Sequence, residues 1–372
     1  MKQKNLWFCT GVLILAAVVL GCVDVRFQTK AGHAMSDAPP PFDREMYEKI
    51  WLDDYPPSDP AEPKLTRIDE AKAVQFLDRV SLNWARKNGC GTCHTNVPYL
   101  MARPLTAPSA ERDSALAKVR EGIVRYLQAP DEHNLRAFYV APAAAAIAIQ
   151  DAETAGTMSR ESMTLFDELW TLQQADGSWT YSTKGLLPFL ERDRRYVADL
   201  VALGAGYLPA DYRQSDKPQQ ALRQLLGFYQ RNPPAKPHDE AMLLWASVRW
   251  PELLSAQQKA QYGEHLLRLQ KDDGGWNLYT LGTWPRLDGA PSDASGGSDG
   301  YATGLVLTAL CTAGYDGTHR ASIDRGLAWI RDNQRVSGRW YTRSTYSDRL
   351  KGYTTNLATA YAIMALKTCP AN

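Results

Sequence analysis

The chain has 372 residues, 44% of them hydrophobic, and 42 Lys and Arg against 41 Asp and Glu leave a formal net charge of +1. That balance gives no electrostatic case for binding nucleic acid. Only one apolar run approaches the length needed to cross a bilayer, and it lies at the very start.

Lys2 and Lys4 precede an apolar run from Leu6 to Leu20 that ends in "VLGC". A membrane span needs about 20 apolar residues, so the run suits a secretory signal better. Small Gly21 before Cys22 resembles a bacterial lipoprotein cleavage box, which makes Cys22 the expected first mature residue and lipid site. A plain signal or an uncleaved anchor is the alternative. The chain is therefore expected to be exported, to the periplasm or cell envelope, and to meet the membrane through its N-terminal lipid. After residues 1–22, the stretch 23–63 carries "DAPPPFDREMYEKIWLDDYPPSDPAEPK". Its proline and acid content reads as a tether or extended arm, with Trp51 and Tyr55 offering points where it packs back. Residues 64–372 remain, enough for one large domain that buries roughly three quarters of its unfolded surface.

"FLDRVSLNWARKNG" begins that domain, followed by "CGTCHTNVPYLMARPL". Beyond it, three segments share the spacing Gln-x3-Gly-x-Trp: Gln173, Gly177, Trp179; Gln270, Gly274, Trp276; and Gln334, Gly338, Trp340. Each follows an amphipathic segment, as in "SMTLFDELWTLQ", where Met163, Phe166, Leu169 and Trp170 recur at helical spacing. Each copy thus reads as a helix end, with Gly turning the chain and Trp packing back. Apolar stretches follow at "YVADLVAL", "YATGLVLTAL" and "LATAYAIMAL", with relatives at "YVAPAAAAIAI" and "DEAMLLWASV". Helices apolar nearly all round are buried on every side. Polar outer helices alternate with apolar inner ones, and inner starts fall near residues 99, 139, 196, 239, 301 and 357. Six such pairs cannot bury their inner faces singly, so they are expected to stack in a ring.

The Gln-x3-Gly-x-Trp copies resemble the QW repeats of squalene-hopene and other triterpene cyclases. The helix pairing resembles the α/α toroid that those enzymes share with protein prenyltransferase β subunits. The resemblance covers nearly all of residues 64–369 and implies an all-α toroid of six helix pairs. It does not by itself carry the chemistry across, since one fold hosts many functions. The Asp-x-Asp-Asp acid cluster of the hopene cyclases has no counterpart here. Asp272 and Asp273 are adjacent but sit in an outer-helix turn. At the prenyltransferase zinc positions, Asp299 is present, Tyr301 stands where Cys is needed, and Thr354 lies near the last inner helix with no His. A lone Asp cannot hold zinc, so no zinc is expected. Asp299 opens a buried helix, either as its cap or as a cavity-lining contact. Tyr139, Tyr196 and Tyr301 recur at one inner-helix position, where they either ring the mouth of the barrel or pack between repeats.

Cys90-Gly-Thr-Cys93-His94 is the attachment signature of c-type haem, two thiols for the vinyl groups followed by the proximal imidazole. Attachment takes place outside the cytoplasm, in agreement with export. A Cys90–Cys93 disulfide or a metal site on Cys90, Cys93 and His94 is the alternative. The motif falls where other repeats place their turn, at the rim of the ring. His133, in the equivalent loop of the next repeat, is the candidate second iron ligand, ahead of His238 in the fourth. Met101 is too near His94 to reach the opposite face. The expected cofactor is haem c, with a redox partner or an apolar small molecule as counterpart. A non-haem toroid that processes terpenoids or binds an apolar ligand or a protein is the other reading. Nothing in the sequence fixes the state of Cys311 and Cys369.

Overall fold

The computed structural model describes residues 59–87, 94–128, 134–181, 193–286, 288–345 and 353–369. Among them are fifteen α-helices: α1 (Glu70–Lys87), α2 (Asn96–Ala102), α3 (Ala110–Leu127), α4 (Arg136–Ala155), α5 (Arg160–Leu172), α6 (Arg194–Ala205), α7 (Ala210–Gln214), α8 (Asp216–Arg231), α9 (Pro237–Arg249), α10 (Ala256–Arg268), α11 (Leu278–Leu281), α12 (Gly300–Thr312), α13 (Tyr315–Thr318), α14 (Arg320–Asp332) and α15 (Tyr353–Thr368). Six form an inner ring, in which α2, α4, α6, α9, α12 and α15 each pack on the next and α15 returns to α2. The outer partners are α1, α3, α5, α8, α10 and α14. The fold is the expected all-α toroid of six helix pairs. The inner helices begin one to four residues before the positions read from the sequence.

Composition explains which ring each helix joins. In α12 every residue from Gly300 to Cys311 is buried, and in α4 Ala143, Ala144, Ala145 and Ala146 are all inaccessible. Small side chains allow the close approach a six-membered ring requires. Outer helices bury one stripe only; α5 hides Leu165, Phe166, Leu169 and Trp170. Among the described residues no helix is long and apolar enough to cross a membrane.

The three QW turns are the fasteners between outer helices. Each indole N–H donates to the carbonyl ten residues earlier on its own outer helix: Trp179 to Leu169 (3.0 Å), Trp276 to Leu266 (2.7 Å) and Trp340 to Ile330 (2.7 Å). Each Gln amide donates to its turn glycine's carbonyl and also to the start of the next outer helix. Gln173 reaches Ala221 at 3.1 Å, Gln270 reaches Ser322 at 2.7 Å and Gln334 reaches Asp69 at 2.8 Å. The last of these closes the circle, because Asp69 leads into α1.

The arm helps to seal that seam. Glu62 accepts from the Ser337 backbone at 2.9 Å and pairs with Arg339 at 2.6 Å, while Leu65 N donates to Gln334 O at 2.7 Å. Residues 59–63, read from sequence as tether, therefore belong in part to the ring. Trp51 and Tyr55 lie outside the described residues. Cys311 and Cys369 form a disulfide, Cα–Cα 5.1 Å, joining the end of α12 to the residue just past α15.

Candidate functional site

Every outer helix runs into an inner one, so the inner N-termini share one end of the ring. There the structure gathers His94 ahead of α2, Asp193 capping α6, His238 in the first turn of α9, Asp299 capping α12 and Asn356 in the first turn of α15.

His94 sits in the turn that leads into α2, almost fully buried, with its ring edge-on to Trp84 of α1 at 5.3 Å. Its Nδ1 lies 2.7 Å from Thr95 Oγ1, and Thr95 Oγ1 in turn accepts from Asn356 Nδ2 at 3.2 Å. Burial pushes the imidazole down to about 3, so it is neutral across the physiological range. Cys90, Cys93, His133 and Cys22 lie outside the described residues. Met101 is buried within α2.

Asp299 caps α12. Its carboxylate accepts from Ala302 N at 3.0 Å, from Leu278 N, and from the Thr342 hydroxyl at 3.0 Å. Burial raises it to about 6, against the opposing pull of those backbone donors. Tyr301 Oη lies 2.7 Å from His238 Nε2. Burial pushes His238 down to about 3 and Tyr301 well above its ordinary value. Tyr196 and Trp284 flank His238 at 5.9 and 5.6 Å, and Tyr361 stands edge-on to Tyr301 at 5.1 Å. Tyr139 does not join them. It is half-buried and packs on Tyr126 of outer helix α3 at 5.0 Å.

Trp245 of α9 meets Tyr361 of α15 at 6.2 Å, although α12 separates these helices in the ring. Trp245, Tyr301, Tyr361 and His238 thus fill this part of the interior with their own side chains, each 6% exposed or less. The carboxylate of Asp299 is committed to capping. Among the described residues no group of three or more His, Cys, Asp or Glu side chains is placed to hold a metal ion.

The fold is that of a terpene cyclase-like toroid. A type II terpene cyclase from Scytonema, solved with geranylgeranyl dihydroxybenzoate as its substrate, superposes with a TM-score of 0.50. It shares 13% identity, over 80% of this chain and 95% of that one. The Lin0763 protein from Listeria innocua gives a TM-score of 0.51 at 10% identity, over 81% of this chain and 95% of that one. No protein-family model matches the sequence. No curated protein matches it either. At these identities the likeness concerns architecture.

Sequence reasoning located His94 at the rim but missed its partners. Thr95 adjoins the motif and carries no signal of its own. Asn356 is 262 positions downstream of His94 and meets its neighbour Thr95 only because the ring closes. Trp84 lies in the stretch that begins the domain, and its ring contact with His94 carries no sequence signal.

Proposed function

We propose that this chain is an exported, lipid-anchored toroid protein that carries one covalent c-type haem, with thioethers to Cys90 and Cys93 and with His94 as the proximal ligand. The observation that carries the reading is the hydrogen bond at His94. A ligating imidazole is ordinarily oriented through a partner on its other ring nitrogen. Thr95 Oγ1, 2.7 Å from His94 Nδ1, is such a partner. The donor set, two thiols and an imidazole in one five-residue run, suits the group chemically.

When bound, the haem supplies one-electron chemistry at its iron. The protein's own residues have narrower tasks. His94 offers Nε2 as the ligating atom, Thr95 holds Nδ1, and Trp84 keeps water from the imidazole edge. The toroid then serves as a rigid support. Two findings favour this over terpenoid processing. The interior beside Tyr301 is occupied by aromatic side chains, and the carboxylate that opens α12, Asp299, is engaged by Ala302 N and the Thr342 hydroxyl. The Cys311–Cys369 disulfide supports export, since such bonds persist in oxidising compartments. Under this reading Cys22 bears the lipid that holds the protein at the membrane, and the counterpart is a redox protein or an apolar molecule.

Co-expression with c-type maturation machinery tests the proposal. The expected result is haem-stain signal that survives a denaturing gel and is weakened in Cys90→Ser. Absence of stain from the unaltered chain would sink the haem reading and favour a non-haem toroid that binds or processes an apolar ligand. The mass of the mature N-terminus tests the anchor separately: an unacylated chain starting elsewhere removes it.

A further inference from the structure

We infer that Arg195 and Asp199 form a two-position switch beneath the α8–α9 loop, residues 232–236. With the carboxyl protonated the guanidinium holds the loop; with it ionised the guanidinium turns to the carboxylate and releases the loop. The inference does not draw on the haem reading. Asp199 is fully buried on inner helix α6, where Tyr229 of α8 donates to Oδ1 at 3.0 Å while Oδ2 has no hydrogen-bond partner among the described residues. Arg195 lies one turn earlier, its Nε 3.4 Å from Asp199 Oδ1, longer than the roughly 2.7–2.9 Å of a formed charged bond. Among the described residues neither Nε nor Nη2 has a hydrogen-bond partner, and together they are a fork with which a guanidinium grips a carboxylate. Nη1 instead donates to the loop, to Asn232 O at 2.5 Å and to Pro233 O at 3.4 Å.

The loop depends on that grip. Pro233 and Pro234 have no N–H, so it has few backbone donors of its own. Its last residue, Lys236, pairs with Asp193, the cap of α6, and lies 5.2 Å over the ring of Trp284, which flanks His238. Movement of the loop is therefore felt at the end of the ring where the inner helices start. The charged and titratable groups that face Asp199 are Asp193 and Arg195 beside it on α6, Tyr229 on α8 and Asp239 on α9. Lys236 lies 3.9 Å from Asp239, and Tyr262 of α10 faces Arg195. Helix α4, which also packs on α6, brings no carboxylate or cation between Ala137 and Ile149. Burial, aided by Asp239 and Asp193, outweighs Arg195 and Tyr229 and raises the carboxyl to about 8. Below that value the neutral acid makes little claim on Arg195. Above it, a buried carboxylate without a partner is strongly unfavourable, and the vacant fork of Arg195 is the cation within reach.

The test is fluorine NMR of the full-length chain labelled with fluorotryptophan, the Trp284 signal being assigned by its absence from Trp284→Phe. As pH is raised from neutral, that signal should move in a single-proton transition centred near pH 8, while helical circular dichroism stays constant. Asp199→Asn cannot ionise and should hold the signal at its acid-side position throughout. Arg195→Met removes the donor to the loop and should hold it near the alkaline-side position throughout. A packing role for the pair does not produce opposite fixed positions in the two variants. A Trp284 signal that is flat in the unaltered chain, or a transition that persists in Asp199→Asn, overturns the switch. Should Asp199→Asn not fold, Arg195→Met decides alone: a transition like that of the unaltered chain, or a signal fixed at the acid-side position, overturns the inference.

Discussion

At Gly338 a side chain is excluded on two grounds. The residue has φ +94°, and a Cβ placed on it would lie 2.3 Å from the Lys72 carbonyl oxygen of the next outer helix. Gly156 also has positive φ, +69°, but a Cβ there meets nothing within 4 Å. Gly156→Ala should therefore lose only the conformational share, about 1–2 kcal/mol, whereas Gly338→Ala should lose distinctly more. Paired denaturant unfolding curves check this, and equal losses would remove the close approach from the account. Asp199 on α6 allows a pH test. Its carboxyl is fully buried beside Tyr229 (3.0 Å) and Arg195 (3.4 Å), and burial raises it to about 8. The unfolded chain ionises near its ordinary value, about 4, so between roughly pH 4 and 8 the folded state holds a proton that the unfolded state has released. Stability from this group is thus full below pH ~4 and declines as pH rises toward 8. Asp199→Asn should flatten the decline in a urea series across that range. A decline unchanged in slope would contradict the assignment.

Among the elements, the QW turns were legible in advance because each of their three residues has a geometric task that tolerates little substitution. Gly338 must take positive φ against Lys72, Trp340 must reach Ile330, and Gln334 must span its own turn and Asp69. The ends of the inner helices were less legible, since burial all round erases the periodicity that marks a boundary. The Cys311–Cys369 pairing was not legible at all: 58 positions separate the two, and only the packing of α12 against α15 brings them together. This bond pins the last inner helix, which also bears Asn356. Replacing Cys369 with Ser should cost about 2–4 kcal/mol, seen as a lower thermal midpoint that added reductant does not lower further. A midpoint equal to that of the unreduced native chain would show that the bond contributes nothing.

For the molecule as a whole, ring closure brings the first and last repeats together. Gln334 to Asp69 shuts the outer ring, α15 against α2 shuts the inner one, and Glu62 of the arm fastens the seam through Arg339. His94 lies at that same seam, which makes its surroundings a property of the closed circle. This is why the motif could be read from sequence while Thr95, Asn356 and Trp84 could not be assigned to it. The interior follows the same logic. Tyr301 and Tyr196 were visible as a recurrent inner position, but that Trp245 and Tyr361 would meet across the ring depends on side-chain reach in three dimensions. The central claim is that the rim of this toroid is a haem-attachment site. It is tested most directly by the intact mass of the denatured, full-length chain after expression with c-type maturation machinery. The account predicts a gain of one haem that is retained in denaturant, with a Soret band that is lost or strongly altered in His94→Ala. A chain of unmodified mass in which Cys90 and Cys93 are joined to each other would contradict it.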